Sequence, residues 1–138
     1  MSAFEAMEIG RVDDLGRARF DGAEVAAFSA EFDPLTRPPT VSPLHISAAF
    51  MRLNVEFHRR QAAVGEAPVF GPSPGVSDMI WHRPVQAGET LTYFQTILDK
   101  RSAPRRPGWG IVTTRIEAHD EAGKLVFGMR ARVYLRTD

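Results

Sequence analysis

The chain has 138 residues, with 17 Lys and Arg against 17 Asp and Glu, so its formal net charge is zero. Its 43% hydrophobic and 25% charged residues are ordinary for a folded domain and wrong for a disordered one, and the charge balance argues against a nucleic-acid footprint or a polybasic membrane patch. With no cysteine, a disulfide framework, a thiolate nucleophile and a Cys-ligated metal are excluded, which fits a reducing cytoplasm.

The length predicts one domain spanning residues 1–138, large enough to bury a core without staples. The first fourteen residues carry acids and no apolar run, so no signal peptide is expected. No stretch approaches the roughly 20 apolar residues of a membrane span. Proline and glycine cluster at Pro34–Pro43, Pro68–Gly75 and Pro104–Gly110, which punctuate the chain into elements.

In chain order, Asp21 predicts a helix N-cap, with Glu24 three residues on as its capping-box partner. That helix runs through Val25, Ala26, Phe28 and Ser29 and stops before Asp33-Pro34, because the residue before proline avoids the helical region. Leu44 to His58 is the long-helix candidate. Leu44, Ala48, Met51 and Val55 mark one apolar row, and Ile46, Ala49, Phe50, Leu53 and Phe57 widen it. So wide an apolar surface predicts a helix covered on most sides, and the polar end at Glu56 to Gln61 predicts a solvated His58.

Everything after Gly75 reads as strand. Thr90–Lys100, Ile111–Ala118 and Lys124–Leu135 alternate with period two, the last most clearly: Leu125, Phe127, Met129, Ala131, Val133 and Leu135 share one face. Gln86–Glu89 and Asp120–Gly123 are tight turns between them. A long apolar helix followed by one-sided antiparallel strands packs economically when the sheet curls around the helix. The expected class is α+β, a hot-dog fold with a long central helix wrapped by a curved antiparallel sheet. Its sheet edges predict pairing into a dimer.

Four stretches resemble one family, the MaoC-like acyl-CoA hydratases and dehydratases, and they occur in that family's order. Phe20 to Pro34 is similar to the first helix and the start of the catalytic loop, and His45 to Leu53 to the central helix. Trp81-His-Arg-Pro-Val-Gln-Ala-Gly-Glu-Thr-Leu91 resembles the family's strand–turn–strand, and Arg106 to Val112 its entry into the next strand. The resemblance runs from about Ile9 to the C-terminus. It implies addition of water to a trans-2-enoyl-CoA, or dehydration of a 3-hydroxyacyl-CoA. An Asp and a His five residues apart perform it, and a helix N-terminus polarises the thioester carbonyl.

This chain departs from that pattern. Asp33 stands where the Asp belongs, but five residues on is Pro38, and only twelve positions separate Asp33 from His45. Pro43, near the start of the central helix, has no N–H to offer a carbonyl. The candidate catalytic residues are therefore Asp33, against its reading as a turn former at a helix end, and His45, against its reading as a capping or core histidine. Ser42, Trp81, Arg101, Arg105 and Arg106 are the candidate substrate-binding residues. The arginines form a local basic excess suited to the phosphates of CoA, or else a solvated hairpin loop; Trp81 is set against its reading as a packing residue, which the sequence favours.

His45, His58, His82 and His119 are scattered without spaced carboxylates, so no metal site is expected, and no Gly-rich phosphate loop or serine elbow predicts a cofactor. The leading expectation is an acyl-CoA-binding homodimer that hydrates enoyl thioesters in fatty acid metabolism. Alternatives are a non-catalytic acyl-thioester-binding subunit paired with another MaoC-like chain, and a hot-dog thioesterase supported by fold analogy.

Overall fold

The computed structural model describes residues 2–65 and 68–138. In chain order the elements are α1 (Ala3–Ala6), β1 (Val12–Arg19), α2 (Gly22–Phe32), α3 (Pro43–Val64), β2 (Gly75–Trp81), β3 (Thr90–Ser102), β4 (Trp109–His119) and β5 (Leu125–Arg136). The strands form one antiparallel sheet in the order β1-β3-β4-β5-β2. It curls around α3 in the hot-dog arrangement the patterning predicts.

The period-two faces fall as expected. Leu91, Tyr93 and Ile97 of β3, Val112, Ile116 and Ala118 of β4, and Phe127, Met129 and Leu135 of β5 are buried. They meet Ile46, Ala49, Phe50 and Leu53 of α3 or close the far end of the core under Phe4 and Met7. The Tyr93 hydroxyl, fully buried, donates to the Ile46 carbonyl at 2.6 Å and ties the sheet to the first turn of α3. Burial pushes that phenol far above its usual range, so it stays a donor.

Both tight turns are present. Gly123 and Gly88 take positive φ (80° and 93°), and Asp120 accepts from the Ala122 and Lys124 amides. Arg83 reaches across from the β2–β3 connection to Glu89 at 2.9 Å and Asp120 at 3.1 Å, fastening one turn to the other.

Four expectations need correction. The strand β1 has no counterpart in the sequence reading: Val-Asp-Asp-Leu-Gly-Arg-Ala-Arg contains two acids and a glycine, and a bulge between Asp14 and Gly16 breaks its alternation. As an edge strand it buries only Leu15 and Ala18, so the periodic signal is weak. The helix α3 extends six residues past His58, because polar residues end a buried face without ending a helix. The row Leu44, Ala48, Met51 and Val55 is not covered; Leu44 and Met51 are half exposed (50% and 55%), since the sheet wraps only the Ile46–Leu53 side. The capping box of α2 is half formed. Asp21 accepts from the Ala23 and Glu24 amides, but its own N–H donates to Arg19 rather than to Glu24.

Candidate active site and acyl groove

The loop from α2 to α3 is held against the β2–β3 turn. The Val41 N–H donates to the Val85 carbonyl at 2.8 Å and the Ala87 N–H to the Pro39 carbonyl at 2.7 Å. These bonds deliver Ser42, which is fully buried, to the start of α3 as its N-cap. The Ser42 hydroxyl accepts from the Leu44 amide at 3.2 Å and donates to Asp33 Oδ2 at 2.6 Å.

Asp33 ends α2 as its C-cap, and the same oxygen accepts from the Thr36 hydroxyl at 2.7 Å. Ser42 first and Thr36 second hold this carboxyl below its ordinary 3.8. Two hydroxyl donors on one oxygen make Asp33 a knot between the end of α2 and the start of α3, ionised at neutral pH and a weak base. Pro43 occupies the first position of α3, so one of the N–H groups a helix start would offer a carbonyl is missing.

His45 lies one residue into the same turn but faces α2. Its imidazole stacks on Phe28 (centroids 4.5 Å apart, planes 9° apart) and meets Phe20 edge-on at 5.2 Å. Nδ1 is buried without a hydrogen-bond partner among the described residues. Burial is the main cause that holds the ring neutral, opposed by Glu24 and assisted by Arg52. No hydrogen bond joins His45 to Asp33 among the described residues; they meet only through Ser42, whose carbonyl accepts from the His45 backbone N–H at 2.9 Å.

Trp81 packs partly on the core beside Phe127 and spends its indole N–H on the Pro43 carbonyl at 2.9 Å. It thereby braces the start of α3. Arg101 is the next-to-last residue of β3, and Arg105 and Arg106 lie in the exposed β3–β4 loop, where Arg106 stacks over the Tyr134 ring at 4.6 Å.

A wide opening lies elsewhere, along α3 from Ser47 to Ala62. A groove of about 750 Å³ runs between that helix and the inner sheet face. Phe50, Met51 and Val55 line one wall, and Ile97, Val112, Met129, Ala131 and Val133 the other. Its volume is that of a small-molecule site. Neither Asp33 nor His45 lines it, nor do Ser42, Trp81, Arg101, Arg105 or Arg106.

Polar groups that the sequence reading did not select line it, Asn54, His58 and Gln95 among them. Asn54 Oδ1 is buried without a partner. His58, expected to be solvated, is half buried with its ring edge-on to Phe70 at 4.7 Å, and burial lowers its pKa, opposed by Asp13 and assisted by Arg11. The signal was there: Phe50, Asn54 and His58 follow one i, i+4 line beside Met51, Val55 and Arg59, so polar groups lie within an apolar stripe.

No protein-family profile matches the chain. A segment of 57 residues, 41% of the chain, is 37% identical to the mesaconyl-CoA hydratase of Haloarcula marismortui, of which it spans 16%. Among solved structures, the MaoC-like dehydratase of Rhodospirillum rubrum superposes with a TM-score of 0.77 at 24% identity, over 96% of this chain and 94% of that one. The HadBC (3R-hydroxyacyl-ACP dehydratase) complex of Mycobacterium tuberculosis gives 0.65 at 16% identity, over 91% and 96%. The chain has the hot-dog fold that these MaoC-like proteins have.

Proposed function

We propose that this chain is a MaoC-like acyl-thioester-binding protein whose groove holds the acyl group, and that a second chain completes the hydration chemistry. The observation that carries this reading is the separation of the groove from a spent Asp33. Adding water to an enoyl thioester needs a base for the water, an acid to protonate C2 and a donor for the enolate oxygen. In this chain Asp33 is committed to Ser42 and Thr36, His45 is stacked on Phe28, and Pro43 withholds an N–H. The apolar groove keeps its capacity to bind.

The start of α3 and the edge strand β2 supply the pairing surface, with Leu44 and Ile80 exposed on them outside the groove. A second copy gives the homodimer, and a different MaoC-like chain gives a hetero-oligomer like the two-component HadBC complex. Action in the cytoplasm on fatty acyl thioesters belongs with this reading; no helix among the described residues is long and apolar enough to cross a membrane.

A second reading, hydration by this chain alone, is favoured by one feature: Asp33 remains ionised at neutral pH and could hold a water.

Calorimetric titration with the thioether analogue of octanoyl-CoA, which cannot react, tests the proposal. Wild type binds, and Ala131→Phe, which fills the groove, loses at least tenfold in affinity while keeping its far-ultraviolet circular dichroism and melting temperature. Failure of the wild type to bind refutes the assignment.

A further inference from the structure

Two side-chain amides open into the groove without partners. Gln95 stands on the inner face of β3, in the row of Leu91, Tyr93 and Ile97, and is only 8% exposed. It lines the groove, and its amide makes no hydrogen bond among the described residues. Asn54 lines the groove from α3, and its Oδ1 is buried and equally without a partner there. The other buried polar groups of this sheet face are spent: the Tyr93 hydroxyl donates to Ile46, and that of Thr114 reaches the Ala131 carbonyl at 3.4 Å.

The register places both amides in the middle of the trough. Gln95 pairs with Ile116 and Ile116 with Met129, and on the next rung Ile97, Thr114 and Ala131 follow one another across the sheet. The helix α3 runs along these rungs. At one end its Ile46 carbonyl takes the Tyr93 hydroxyl; at the other His58 meets Phe70, which bridges to Leu135 near the end of β5. Asn54 lies between the two, at the level of Gln95 and Ile97. From Ser42, which holds Asp33, to Asn54 is twelve residues, or about 18 Å of helix. A fold rarely leaves buried polar groups unpaired, because each gives up water without replacing it, and a leucine at either position would fill the core.

We infer that Gln95 and Asn54 set the groove's specificity for an acyl chain that carries a hydroxyl group along its length, away from the carbons next to the thioester. This inference rests on the acyl-binding reading above and names the class of acyl group. A hydroxyl satisfies both residues at once: its O–H donates to the orphaned Asn54 Oδ1, and its oxygen accepts from the Gln95 amide N–H. A keto oxygen has no proton for Oδ1, and a carboxylate would set its own acceptors against that oxygen. A plain hydrocarbon leaves both amides buried and unpaired, so the same two groups reject it. The apolar remainder of the wall, with Phe50, Met51 and Met129, takes the methylenes on either side.

Titration calorimetry with four unreactive thioether analogues tests this: octanoyl-CoA itself and its 3-hydroxy, 6-hydroxy and 8-hydroxy forms. They are compared on the wild type, Gln95→Leu and Asn54→Leu, each variant checked for folding by circular dichroism. The wild type binds the 6-hydroxy or the 8-hydroxy analogue at least tenfold more tightly than the plain chain. Both variants reverse that order and take the plain chain more tightly than the hydroxylated one. Equal binding of all four analogues by the wild type overturns the inference and leaves the acyl groove intact. A preference confined to the 3-hydroxy analogue also overturns it, since the amides would then serve the reacting carbons, and so does a preference that survives both substitutions. If the wild type binds none of the four, the acyl-binding reading fails as well.

Discussion

Replacing Ser42 with alanine tests how the start of α3 and the candidate acid are tied together. Ser42 is fully buried, and its hydroxyl makes two bonds at once: it accepts from the Leu44 amide and donates to Asp33. Loss of an N-cap side chain costs about 1 kcal/mol, and loss of a second ordinary hydrogen bond costs about 1 kcal/mol more. The Asp33 carboxylate keeps Thr36 and gains water, so it adds little to this sum. A fall of about 2 kcal/mol, with a urea dependence of about 2 kcal/mol per molar, moves the unfolding midpoint down by about 1 M. The midpoint from urea unfolding, followed by circular dichroism, gives the magnitude. The carboxyl titration of Asp33, followed by carbon-detected NMR, gives the mechanism: it rises toward its ordinary value in Ser42→Ala because its largest depressing influence is gone. A midpoint within about 0.2 M of wild type and an unmoved Asp33 titration would refute the knot at the α2–α3 junction.

Tyr93→Phe removes the buried bond to Ile46 and costs about 1 kcal/mol in urea unfolding, with the groove's affinity for acyl thioether unchanged. Asn54→Leu stabilises the ligand-free protein by about 1 kcal/mol or more, because it removes a buried acceptor without a partner; a loss of stability would show that Asn54 is satisfied. His45 and His58 are both held neutral mainly by burial. Their folded pKa values lie below the ordinary 6.5, so the unfolded chain binds more protons, and stability is full above pH 6.5 and declines as pH falls through and below it. Melting temperatures between pH 8 and pH 5 check this, and His45→Phe flattens part of the decline.

The architecture was legible where one face of an element is buried and the other is wet. The strands β3, β4 and β5 announce themselves through alternation because the sheet has a single core side. The edge strand β1 did not, because an edge needs few buried side chains and its bulge resets the parity. The turns at Gln86–Glu89 and Asp120–Gly123 were readable from local glycine chemistry alone.

The candidate site was legible by composition but not by placement. Asp33 and Ser42 were selected singly, yet their contact spans nine residues and depends on the loop that Val41 and Val85 anchor. His45 lies close to both in sequence, but its stacking on Phe28 follows from how α2 lies against α3, which no spacing encodes. Apolar rows marked α3 as a core helix, but periodicity alone does not distinguish a face covered by the sheet from one left open at Met51 and Val55.

The most direct test of the account is loss of enoyl absorbance when the purified protein is added to trans-2-octenoyl-CoA, run beside Asp33→Asn and beside binding of the thioether analogue to the same preparation. The account predicts that the analogue binds while the absorbance stays constant, in wild type and Asp33→Asn alike, until a second MaoC-like chain is supplied. Turnover by the wild type alone, abolished in Asp33→Asn, would contradict it and make Asp33 the base of a self-sufficient hydratase.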